Sequence, residues 1–262
     1  MRYMKFLAVA ALLLASAVSC KSRYELLLEG NDVDAKYKAA FKYYEDGKFS
    51  KAAALFESLS VITSGTERDD TVQYYWGLSN YAQRDYYTAE TNFEHFLDRY
   101  PRSPFAEPAQ FLRIDCLYKA TLRYELDQTP TYTAITKISE YLADHPSGAN
   151  AQVCHRMLSE LNERLDRKAF ENAKLYYKME DYKAARVAFK NILKDDADNV
   201  FREDILYYTA LSSYKFALNS QAHLQKERYL AFIDDYYNFI GEFPGSAHCK
   251  ELEPLYNKAK EK

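Results

Sequence analysis

The chain has 262 residues, with 35 Lys and Arg against 38 Asp and Glu for a net charge of −3, so a mildly acidic chain without a basic block argues against nucleic acid as a partner. Four cysteines, widely separated and without a CxxC pair, imply no disulfide framework. Only seven Gly and seven Pro, set beside abundant Ala, Leu, Glu and Lys and apolar residues recurring at i, i+3, i+4 and i+7, predict an all-α chain.

In chain order, Arg2 and Lys5 precede an apolar run from Phe6 to Val18, the layout of an export signal and too short to span a bilayer. The run closes on Ala17-Val18-Ser19-Cys20, which resembles a bacterial lipobox. The resemblance implies that residues 1–19 are a lipoprotein signal peptide and that Cys20 is acylated and becomes the first residue of the mature protein; the alternative is an ordinary export signal, cut after Ala17 or Ser19. Loss of Arg2 and Lys5 takes the net charge to −5. Several acyl chains, each CH₂ contributing roughly 0.8 kcal/mol, would tether the protein without spanning the membrane. No Asp follows Cys20 and no acidic cluster follows it; Lys21, Ser22 and Arg23 point by analogy to the periplasmic face of the outer membrane. Residues 20–32 read as a lipidated linker.

Three later stretches align: YYEDGKFSKAAALFESL (43–59), YAQRDYYTAETNFEHFL (81–97) and YYKMEDYKAARVAFKNIL (176–193). Each has an aromatic opening a second helix (Phe49, Tyr86, Tyr182), Ala three residues on (Ala52, Ala89, Ala185) and Phe four beyond (Phe56, Phe93, Phe189). Small Ala lets antiparallel helices approach and Phe fills the space between hairpins, which is the tetratricopeptide (TPR) pattern. First helices are predicted near 33–46, 68–83, 104–124, 147–179 and 200–217. Second helices fall near 49–63, 86–99, 130–144, 182–195 and 222–242, and a last helix near 246–260 caps the stack. The predicted fold is thus a TPR-like superhelix of about five antiparallel helix pairs plus a C-terminal capping helix. Pro101, Pro146 and Pro244 stop helices, with a Ser beyond each to cap the next one. The unbroken stretch from 147 to 179 predicts one long helix joining an N-terminal subdomain of three repeats (33–146) to a C-terminal one of two repeats and the cap (147–262). Cys116, Cys154 and Cys249 lie in helical patterns as buried thiols.

No Gly-rich phosphate loop, HExxH or GxSxG is present, and Cys154-His155 and His248-Cys249 lack the spacing of a metal site. No enzyme, metal or cofactor is therefore expected, and the covalent lipid on Cys20 is the one non-peptide group. Paired tyrosines in first helices suit a concave groove for extended peptides, one member of each pair lying in the core; Tyr37, Tyr44, Tyr74 and Tyr75 are the groove candidates. Lys183, Arg186 and Lys190 share one face of a second helix, opposite Ala185, Phe189 and Ile192. That stripe is either a solvated face or a docking face, with Tyr177 and Lys178 at the adjoining turn as further candidates.

The lipobox followed by CKSRYELLLEGND, the irregular TPR units and LNERLDRKAFENAKLYYKMEDYKAARVAFKNIL (161–193) together resemble the BamD family, TPR lipoproteins of the outer-membrane β-barrel assembly machinery. The likeness rests on Arg164, Leu165, Ala173, Tyr176, Tyr177, Ala184 and Ala185. It departs in the turn Met179-Glu180-Asp181 and in Ala188 before Phe189, where many members carry Gly and Arg, so Arg186 takes the contact role. The resemblance implies a non-catalytic scaffold whose N-terminal repeats receive unfolded outer-membrane clients and whose C-terminal repeats dock on a BamA-type barrel protein. A TPR lipoprotein organising another cell-envelope or secretion complex, or an envelope enzyme's regulatory subunit, are the alternative readings.

Overall fold

A computed structural model describes residues 22–262, so Cys20 and the signal segment lie outside the described residues. Twelve α-helices and no strands occur among them. The helices are α1 (Arg23–Glu29), α2 (Val33–Glu45), α3 (Phe49–Ile62), α4 (Asp69–Ala82), α5 (Tyr86–Arg99), α6 (Ala106–Lys119), α7 (Thr129–Asp144), α8 (Ala151–Lys178), α9 (Tyr182–Asp195), α10 (Arg202–Leu218), α11 (Ala222–Glu242) and α12 (Cys249–Ala259). Consecutive helices pack on one another from α2 to α6 and from α7 to α12, the ladder of antiparallel hairpins that defines a TPR-like fold.

The hairpin turns explain the aromatic repeats. Three-residue turns join α2 to α3, α4 to α5 and α8 to α9, and the middle residue of each is left-handed: Gly47 at φ 71°, Arg84 at 68° and Glu180 at 63°. Asp85 and Asp181 then cap the next helix by accepting from the Thr88 and Ala184 amides. Across each turn two rings meet edge to face: Tyr44 with Phe49 at 5.5 Å, Tyr81 with Tyr86 at 5.7 Å and Tyr177 with Tyr182 at 5.5 Å. Past the turn, Ala52, Ala89 and Ala185 are fully buried, as are Phe56, Phe93 and Phe189. Gly77 permits the closest approach, since a Cβ there would stand 2.7 Å from Phe93 Cε1.

Four details correct the sequence reading. Within the expected linker 20–32, the described part from Ser22 on is not simply a linker: α1 is closed by a reciprocal cap, Ser22 Oγ accepting from the Glu25 amide and the Ser22 amide donating to Glu25 Oε2, and its Tyr24, Leu27 and Leu28 pack on the first core. Ser103 and Ser246 close the turns before α6 and α12 by accepting from the Phe105 and His248 amides and cap neither helix. The compact units are divided at Ala120 and Thr121 rather than near 146, which places α7 in the second unit. The cause is visible in 121–128: Lys168 donates to the Tyr124 and Leu126 carbonyls, and Arg164 to Thr121 Oγ1 and the Leu122 carbonyl, tying this segment to α8. The long helix α8, 28 residues and about 42 Å, accordingly belongs wholly to the second unit instead of bridging two subdomains. Cys116 and Cys154 are buried free thiols, burial pushing Cys116 up to about 12, while Cys249 is only half-buried.

Candidate protein-binding surfaces

In the first unit the four candidate tyrosines do not form one free face. Tyr74 is a core side chain, buried and stacked on Phe105 with centroids 4.5 Å apart and planes within 9°, so it drops out of the groove set. Tyr75 is half-buried at the centre of a ring cluster with Phe41 (4.7 Å), Tyr44 (5.3 Å) and Tyr74 (5.8 Å). Tyr44 is also clasped to Phe49 by the turn, and burial raises its hydroxyl above the usual phenol range. Tyr37 lies at the edge of this cluster, against Phe41 and beneath the Arg68 guanidinium, whose carbon is 5.1 Å from the ring centre. Tyr37, Tyr44 and Tyr75 therefore present partial faces on one cluster of edge-to-face and tilted rings, with Arg68 held over its rim by Asp34 at 2.6 Å.

In the second unit the cationic stripe of α9 is largely committed internally. Arg186 Nε and Lys190 Nζ each lie 2.6 Å from the Asp235 carboxylate of α11, which also accepts from Ser213 of α10. Asp235 is only 2% exposed, so these cations compensate a buried charge. The stripe is therefore not simply a solvated face: Arg186, 27% exposed, is tied to Asp235, Lys190 is tied to it while still exposed, and Lys183 is exposed without a described ion pair. One signal pointed to this anchor: Asp235 sits in the apolar stripe of Tyr229, Phe232, Tyr236 and Phe239, all buried. Tyr177 is half-buried among Tyr182 and Tyr208, and burial, then those two rings and Glu251, push its hydroxyl up to about 12. Lys178 is exposed, 3.8 Å from Glu171.

Beside these stand exposed apolar side chains that periodicity did not single out: Leu175, Tyr176 and Met179 at the end of α8, and Val187 on α9. A groove of about 880 Å³ between α8 and the α9–α10 connection is lined by Glu163, Asp166, Asp195, Asp196 and Asp198, with Tyr132 and Val200 on its rim. Burial raises the Asp166 carboxyl, and neighbouring Asp196 and Glu163 reinforce the rise against a hydrogen bond from the Val200 amide. Among the described residues no group of three or more His, Cys, Asp or Glu side chains converges as a metal site would require.

A family model described as outer membrane lipoprotein, YfiO, matches residues 30–230. The chain belongs to this family. Among relatives, the outer membrane protein assembly factor BamD of Caulobacter vibrioides is 21% identical over 218 residues, 82% of this chain and 72% of that protein. Among solved structures, the TPR2AB-domain:pHSP90 complex of yeast Sti1 aligns over 87% of this chain and 98% of that one at 12% identity and a TM-score of 0.39, too loose a match to add to the packing described above. Family membership associates the chain with the outer membrane, and among the described residues no helix is long and apolar enough to cross one. The matched stretch begins after α1 and ends before α12.

Proposed function

We propose that the protein is a non-catalytic lipoprotein scaffold, held by acyl chains on Cys20 at the periplasmic face of the outer membrane, that helps a BamA-type barrel protein assemble and insert β-barrel outer-membrane proteins. The observation that carries this reading is the family match over 30–230, in a chain whose first residues place a lipobox cysteine at the end of an export signal. Clients would be received on the first unit, where Tyr37, Tyr44 and Tyr75 offer half-buried ring faces that stack on an extended aromatic segment without chemistry. The barrel partner would dock on the second unit through the exposed end of the α8–α9 hairpin: Tyr176, Lys178, Met179, Lys183 and Val187, with Arg186 and Lys190 holding the helix beneath.

Copurification from membranes tests this. The wild-type protein should bring down a barrel protein with periplasmic domains, and replacing Met179 and Val187 by Ser should reduce that recovery severalfold while leaving the melting temperature nearly unchanged. Recovery of secretion or peptidoglycan components in place of a barrel protein would overturn the proposed role.

A further inference from the structure

The N-terminal helix lies outside the matched stretch, and its position fixes more than the tether. Only Lys21 stands between Cys20 and Ser22, where the described fold begins, and two residues reach at most about 7 Å. Because the capping box starts α1 at once and Tyr24, Leu27 and Leu28 seat it on α2 and α3, lipid on Cys20 would leave almost no free linker. Whatever surrounds Arg23 must then face the bilayer.

That surface has membrane chemistry. Arg23 is exposed, and Leu26, one turn along on the same side of the helix, is 59% exposed although its neighbours Leu27 and Leu28 pack inward. Tyr24 donates to the Lys51 carbonyl at 3.4 Å, and the Lys51 ammonium lies 5.1 Å from the Tyr24 ring centre. Tyr24 meets Tyr43 edge to face at 5.6 Å, and Lys48 reaches over Tyr43 at 5.7 Å. Three cations and two amphipathic rings are thus gathered beside the start of α1. Among the nearby acids, Glu25 turns back to the Ser22 amide and Asp46 is shared by Lys42 and Lys48, while exposed Glu29, one turn beyond Leu26, sets one negative charge against the three cations.

From this arrangement, and resting on the reading that Cys20 carries the lipid, we propose that the α1 face bearing Arg23 and Leu26, with Lys48 and Lys51 beside it, lies on the membrane, its cations against anionic phospholipid headgroups and Leu26 in the interfacial layer. The short tether and this surface together hold the first unit with the α2–α3 turn toward the bilayer.

The test uses the full lipidated protein in vesicles of phosphatidylethanolamine and phosphatidylglycerol whose acyl chains carry bromine. With Trp76 replaced by Phe so that the introduced ring alone is read, Leu26→Trp should be quenched strongly and shifted to the blue, whereas Val61→Trp, exposed near the other end of α3 and about 15 Å along its axis from Lys51, should not. Arg23→Ser with Lys48→Ser should reduce the first signal, each lost cation costing about fivefold in surface partitioning, while the protein still floats with the vesicles. Flotation with equal quenching at both positions overturns the proposal and leaves the lipid anchor standing. A protein that does not float overturns the anchor reading, and this proposal with it.

Discussion

Arg186 shows how one residue changes meaning between a helical wheel and a packed fold. On the wheel it shares an outward stripe with Lys183 and Lys190. In the structure its guanidinium, only 27% exposed, closes on Asp235, which α11 carries on its buried side. Removing one partner of a buried pair costs far more than breaking a surface bridge, because the remaining charge stays desolvated. Arg186→Glu sets a second carboxylate against Asp235 with Lys190 alone to compensate, and stability should fall by about 2–4 kcal/mol in urea melts. Adding Asp235→Asn in that background should recover part of the loss, since the repulsion goes with the charge. An equal loss in single and double variants would mean that Asp235 is not the residue through which Arg186 acts. A reduced yield of any complex with Arg186→Glu would, on this geometry, report on the fold of α9 rather than on docking.

At the scale of elements, helix boundaries were the most legible feature. The α3, α5, α9 and α11 ranges follow from the aromatic that opens each second helix or from the Pro that follows its end, because those residues act locally. What sequence could not supply were contacts between residues distant in the chain. The seating of α1 depends on Tyr43 and Lys51, and 121–128 is fixed to α8 through its own carbonyls, which leave no mark on side-chain periodicity. The paired tyrosines were readable only in part: Tyr207 is buried beside half-buried Tyr208, as the one-inside rule expects, yet Tyr43 and Tyr44 are both half-buried. Gly77 gives the sharpest element-level test, because its missing side chain lets α4 and α5 close. With Phe93 fully buried, the ring has little room to retreat from an added methyl. Gly77→Ala gains helix propensity but should still destabilise by about 1–3 kcal/mol through overpacking. Pairing it with Phe93→Leu should restore part of that loss, measured by thermal melting of the single and double variants. No recovery would place the strain elsewhere.

For the whole molecule, the two compact units and the neighbour-to-neighbour packing within each make stability a sum of local interfaces. A helical ladder needs its end covered, and α12 does this for the second unit. Leu252 is fully buried in the cluster of Tyr207, Leu211, Phe232 and Phe239, and Tyr256 stacks on Tyr236 with centroids 4.5 Å apart. Ending the chain at His248 would uncover this apolar cluster, and burial of side chains of this size stabilises by about 1.5–3 kcal/mol each. Trp76, the single tryptophan, lies in the first unit against the core of Phe56 and Val72, so its fluorescence follows that unit alone. The truncated protein should therefore show a helix-signal transition, read by circular dichroism, that begins at lower urea than in the full chain, while the Trp76 transition keeps its midpoint. If both signals shift together, the units unfold as one cooperative body and stability is not a sum of local interfaces.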